Sequence, residues 1–156
     1  MPDSSAATEF KQGIRLLQEG HTNEAYEYFR SVSELQQQNP YYMSFLGVSM
    51  GRAKNKWNTA VELCETALKL KRNEPQLYLN LAEVYRHAGY RDDAIALLEQ
   101  ASMFFKGDPR FKKERANLGM RREPAFSLLE RGHILNRFFG KLQHQIFGPV
   151  RQIDGR

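Results

Sequence analysis

Gln76–Ala101 reads QLYLNLAEVYRHAGYRDDAIALLEQA, two amphipathic runs that meet at a glycine. Leu77, Leu81, Val84, Tyr85 and Ala88 recur at helical spacing, Gly89 interrupts them, and Ala94, Leu97, Leu98 and Ala101 resume three or four apart. That pattern predicts helix, tight turn, helix, with the glycine ending the first helix.

The same design occurs upstream. Asn39-Pro40, Glu74-Pro75 and Asp108-Pro109 are spaced 35 and 34 apart, and so are Ala25, Ala60 and Ala94. Val32, Ala67 and Ala101 follow those alanines by seven residues, and Gly13, Gly47 and Ala82 precede them by 12, 13 and 12. Four position classes in one register define an internal repeat. Asn39 and Asp108 have the chemistry of helix N-caps, with proline at the first helical position. Gly47 or Ala82 on a first helix lets the second helix come close at Ala60 or Ala94. The pattern predicts helices near 7–19, 23–37, 40–54, 57–71, 75–88, 91–105 and 109–120.

These residues resemble the tetratricopeptide-repeat (TPR) family. The third unit carries the likeness best, with Tyr78, Leu81-Ala82, Tyr85, Ala94, Leu98 and Ala101 in order. The second offers Leu46-Gly47, Met50, Ala60, Cys64 and Ala67, with one extra residue in its turn, AKNKW. The first has Gln12-Gly13, Leu16, Ala25, Phe29 and Val32. The proline that usually ends the second helix of a unit is absent, being Gln37, Arg72 or Lys106, so that helix is expected to run slightly longer. The resemblance implies an all-α, right-handed helical-repeat solenoid whose concave face is lined by the first helix of each pair. Its expected parts are a flexible N-terminus (1–6), units at 7–39, 40–74 and 75–108, a partial repeat helix (109–122), a C-terminal amphipathic helix (123–147) and a tail (148–156).

The family's groove positions fall on Phe10, Lys11 and Ile14 in unit one, and on Tyr41, Ser44, Phe45 and Val48 in unit two. In unit three they fall on Gln76, Asn80, Glu83 and His87. Exposed aromatics in a groove act as anchors for a partner's apolar side chains, although Tyr41 and Phe45 would also suit a helix–helix core. Some members of the family clamp a terminal carboxylate with Lys, Asn and Arg. Here the corresponding sites read Phe10, Ile14, Phe45, Gln76 and Asn80, and only Asn80 has a suitable identity. In layout the chain is also similar to the three-repeat TPR chaperones of type III secretion translocators.

The last third differs. Residues 1–105 carry 11 basic and 13 acidic side chains, net −2, and residues 106–156 carry 12 basic and 5 acidic, net +7. Residues 109–120 restart as a first helix, with Ala116 where Gly47 stands in unit two. Pro124 then suggests a long helix. On it Leu128, Leu135, Phe139, Leu142 and Ile146 mark an apolar seam, widened by Phe138, with Arg131, Arg137 and Lys141 largely outside it. Such a helix would cap the solenoid, mediate self-association as a homodimer, or lie on an anionic membrane or nucleic acid. No Tyr or Trp stands beside its basic residues to stack on bases, which argues against nucleic acid.

Composition bounds the rest. The chain has 156 residues, 41% hydrophobic and 26% charged, in the range of globular proteins. Residues 1–10 show no signal-peptide pattern and no run reaches the roughly 18 apolar residues of a membrane span. A lone cysteine, Cys64, excludes an internal disulfide and fits a reducing, cytoplasmic setting. His21, His87, His133 and His144 lack metal-site spacing, and Glu62/Glu65 and Asp92/Asp93 read as a solvated face and first-turn acids. No phosphate loop or serine elbow is present. The expectation is a non-catalytic protein-binding scaffold, without metal or cofactor, whose partner is another protein or peptide.

Overall fold

The computed structural model describes residues 3–119, which form seven helices: α1 (Asp3–Glu19), α2 (Thr22–Leu35), α3 (Pro40–Lys54), α4 (Trp57–Leu70), α5 (Pro75–Ala88), α6 (Arg91–Phe104) and α7 (Pro109–Asn117). The long helix expected at 123–147, with Leu128, Leu135, Phe138, Phe139, Leu142 and Ile146, lies outside the described residues.

Local chemistry sets the helix ends. The Asn39 carboxamide oxygen accepts from the backbone N–H groups of Tyr41 (3.0 Å) and Tyr42 (3.4 Å), and the Asp108 carboxylate accepts from Arg110 N–H (3.0 Å). Each satisfies donors that the first helical turn leaves unpaired, and the proline that follows has no N–H to satisfy. At the other end, α1 and α5 stop at Gly20 (φ 88°) and Gly89 (φ 89°), where a left-handed conformation costs glycine little. Asn55 takes the equivalent place after α3 at φ 55°. Asparagine is among the few other residues that tolerate this region. The extra residue of unit two therefore lengthens α3 to 15 residues against 14 in α5, and the connections after both helices keep two residues.

Two expectations are corrected. α1 begins at Asp3 rather than near residue 7, because Ala6 packs against Val32 of α2 and Tyr42 of α3. The even-numbered helices end at Leu35, Leu70 and Phe104, slightly earlier than expected rather than later. Four residues must turn the chain into the next helix, and the cap positions Asn39 and Asp108 require extended backbone there.

The core lies where the two helices of a unit touch. Ala25, Ala60, Ala94, Ala67, Ala101, Val32 and Cys64 are fully buried. A Cβ on Gly47 would lie 2.8 Å from Cys64 Sγ and 3.0 Å from the Ala60 carbonyl oxygen, and one on Gly13 would lie 2.8 Å from the Phe29 ring. Burial pushes the Cys64 thiol up to about 12, and its Sγ donates to the Ser44 carbonyl at 3.4 Å. Such a thiol is packing material rather than a nucleophile. Between units, Tyr85 Oη of α5 donates to Glu65 of α4 at 2.8 Å, and Phe105, Phe111 and Tyr78 tie α7 to unit three. Among the described residues no helix is long and apolar enough to cross a membrane.

The backbone oxygen of Ala60 cannot swing aside to admit a side chain at Gly47. Gly47→Val is therefore expected to cost about 1–3 kcal/mol in urea unfolding, the usual range for overpacking. An unchanged midpoint would show that α3 and α4 do not meet as described.

Candidate functional site

Each of α2, α4 and α6 packs between two odd-numbered helices, while α1, α3, α5 and α7 also touch one another in sequence. The odd-numbered helices thus crowd along one face, the inner face of the array. This is where the groove residues were expected, and the structure divides them.

Phe10, Ile14 and Phe45 are half-buried and Lys11 is exposed. Phe10 meets Phe29 at 5.6 Å, Tyr42 at 4.8 Å and Phe45 at 5.3 Å between ring centroids, and Phe29 lies 5.4 Å from Phe45. Such ring pairs contribute about 0.5–1.5 kcal/mol each beyond their burial. The Phe10 and Phe45 rings therefore join units one and two and also leave part of their surface at the α1–α3 junction. Val48 (2% exposed) and Ser44 (0%) lie within the packing and offer no surface.

Tyr41 is drawn toward the inter-repeat turns. Lys71 Nζ donates to its hydroxyl at 2.9 Å, and that hydroxyl donates to the Glu74 carboxylate. The hydroxyl acceptor, with Glu74 beside it, holds the Lys71 ammonium pKa above its ordinary value. With Gln36, Gln38, Asn39, Pro40 and Lys71, Tyr41 lines a shallow cleft of about 460 Å³.

Asn80 is 5% exposed and its carboxamide is engaged at both ends. Nδ2 donates to Ser44 Oγ of α3 and Oδ1 accepts from Gln76 Nε2, both at 2.9 Å. Arg110 of α7 reaches the Gln76 Oε1 at 3.3 Å. The result is a polar ladder from α3 to α7 that satisfies its own buried groups, as a low-dielectric interior requires.

Glu83 accepts from Arg52 Nε of α3 at 2.6 Å. One turn further along α5, the exposed His87 ring stacks on Trp57 at 4.7 Å with 11° between planes. Trp57 Nε1 donates to Asn55 Oδ1 at 2.6 Å, and its ring lies where a side chain on Gly51 would project. Arg52 and Trp57 were not among the expected site residues; their partners lie 31 and 30 positions away, with no local pattern to show the pairing. Arg91, also unanticipated, donates from Nε and Nη2 to the Leu118 carbonyl at 3.0 and 2.6 Å and so caps α7. Among the described residues no group of three His, Cys, Asp or Glu side chains is placed to hold a metal ion.

Partial burial, and then the charge of Arg86, hold the His87 imidazole below its ordinary pKa, against the opposing pull of Glu83. A base whose folded pKa is lowered favours the neutral form, so its contribution is present above the unfolded value near 6.5 and falls as pH drops through the folded value. An NMR titration should place His87 below 6.5. Fluorescence of Trp57, the only tryptophan, should drop with the same midpoint as the stacked ring gains charge, and His87→Gln should abolish that step. A normal His87 midpoint, or a step that survives His87→Gln, would contradict this geometry.

Residues 52–118 match the family model for the tetratricopeptide repeat. None of the curated proteins compared matches the chain. Among solved structures, the first TPR of Spaghetti (RPAP3) bound to the HSP90 peptide SRMEEVD is similar at a TM-score of 0.63 and 16% identity, over 76% of this chain and 95% of that one. The second TPR domain of human RPAP3, in complex with the HSP70 peptide SGPTIEEVD, gives 0.62 and 16%, over 78% and 100%. The Yersinia enterocolitica type III secretion translocator chaperone SycD gives 0.61 and 16%, over 76% and 81%. At these identities the structural likeness is one of fold. Residues 52–118 thus match the tetratricopeptide-repeat family model, and the described residues, with helix pairs closed on small residues at a 34–35-residue period, have the fold of solved TPR domains.

Proposed function

We propose that the chain is a non-catalytic interaction module that takes a segment of another polypeptide along the face of α1, α3 and α5. The observation that carries this reading is the patch of half-buried apolar side chains at the α1–α3 junction, Phe10, Ile14 and Phe45. The same helices carry polar groups with exposed surface: Lys11 of α1 next to Phe10 in sequence and, at the α3–α5 joint, the Arg52–Glu83 pair and His87. An apolar side chain entering such a patch contributes at most about 1.5–3 kcal/mol when fully buried. Polar contacts at the rim then fix direction and register.

The proteins of like fold support this reading, since the RPAP3 domains carry HSP90 and HSP70 peptides. A terminal-carboxylate clamp is not part of the proposal. Asn80 is already bonded to Ser44 and Gln76, and the other expected clamp sites hold Phe10, Ile14, Phe45 and Gln76. The segment is instead an internal one with apolar anchors, extended or helical.

Peptides selected from a random display library on the full chain provide the test. Ile14→Glu should weaken their binding at least tenfold with the helical circular dichroism signal unchanged. Glu62→Lys, on an exposed position of α4, should leave affinity as it was. Affinity indifferent to Ile14→Glu would sink the proposal.

A further inference from the structure

The joint between units two and three holds a histidine in a setting that suits one protonation state. Arg86 Nη2 lies 3.1 Å from His87 Nε2. A guanidinium carries N–H donors and no acceptor, so this bond forms only if Nε2 offers its lone pair. The ring is then neutral, with its proton on Nδ1. In that state it stacks on Trp57 of α4 at 4.7 Å, with 11° between planes. The indole is itself fixed, since Nε1 donates to Asn55 Oδ1 and the ring fills the space over Gly51.

The charges around the ring make a second arrangement available. Among the described residues, those that act on it are Arg86 and Glu83 of α5 and Arg52 of α3, while α4 presents the uncharged Trp57. A proton added to Nε2 removes the lone pair that Arg86 uses and sets two cations against each other. Glu83 stands four residues before His87 on the same helix, the spacing at which an acid meets a following cation. Its carboxylate is engaged by Arg52 Nε at 2.6 Å, a tie that runs from α5 back to α3. The Arg52 side chain is 35% exposed, so water can solvate the guanidinium once the tie is broken.

We propose that this cluster is a proton-operated latch between the C-terminal ends of α3 and α5. With His87 neutral, Arg86 and Trp57 hold the ring, and Glu83 is left to bind Arg52. With His87 charged, the ring leaves Arg86 and takes Glu83, and Arg52 is released. The proton adds to one ring nitrogen, and every other exchange is of hydrogen bonds. Partial burial and the charges of Arg86 and Arg52 oppose the proton, and Glu83 alone favours it. The latch therefore stays shut at neutral pH and opens below the ordinary histidine range. The Asn80–Ser44 bond between the same two helices contains no titrating group, so the release is local. Both helices belong to the inner face, and the latch governs how firmly their ends are held together.

NMR of the full chain, with arginine and histidine side chains labelled with nitrogen-15, reads both halves of the latch. At neutral pH the imidazole should be the Nδ1–H tautomer. Titration from about pH 7.5 to about 5, which spans the histidine range and stays above that of carboxylates, should move the Arg52 Nε–H signal toward that of a free arginine. It should do so with the midpoint of His87. In His87→Gln the Arg52 signal should hold still over the same range, and in Arg86→Met the His87 midpoint should rise toward 6.5. The proposal is overturned by a proton on Nε2 at neutral pH, by an Arg52 signal that ignores the His87 titration or moves equally in His87→Gln, or by a midpoint indifferent to Arg86→Met.

Discussion

The architecture depends on how closely two helices of one unit can approach. At Gly47 the backbone of α3 comes so near α4 that an added Cβ would crowd both Cys64 Sγ and the Ala60 carbonyl. Gly13 is filled in the same way by the Phe29 ring. Each contact fixes the geometry of one hairpin, and identical two-residue and four-residue connections then repeat it along the chain. Because a protein interior is packed as densely as an organic crystal, a close contact of this kind admits little variation. The inner face follows from that repetition.

Between units the joints are more varied, and they account for the surface chemistry. Units one and two are joined by aromatic rings, units two and three by the Asn80–Ser44 bond, the Arg52–Glu83 pair and the Trp57–His87 stack. The polar joints remove Asn80 and Gln76 from the set of groups available to a ligand. The aromatic joint is incomplete, since Phe10 and Phe45 remain half-buried. An apolar patch held rigid by its own packing is preorganised, so little ordering entropy opposes a partner that covers it.

The sequence made the repeat legible because helix–helix contact demands small residues at a fixed period, and Ala25, Ala60 and Ala94 keep that period without exception. The caps were equally legible, since Asn39 and Asp108 act locally on the next two or three residues. The inner face was harder to read. Tyr41, Ser44, Phe45 and Val48 fall on one side of a helix, yet that side straddles the boundary between core and solvent, so Ser44 and Val48 are buried while Phe45 is not. Through-space partners left no trace in local patterning. Glu83 meets Arg52 and Arg91 caps α7 across 31 and 27 positions. α1 starts upstream of the expected position for a related reason, because its first turns are held by tertiary contact at Ala6.

The most direct measurement is backbone hydrogen–deuterium exchange of the full chain with and without a peptide selected on it. Binding along the inner face predicts slower exchange in α1, α3 and α5, centred on the turns around Phe10, Ile14 and Phe45, with α2, α4 and α6 little changed. Protection confined to the even-numbered helices, or none in α1 and α3 at saturation, would contradict the account.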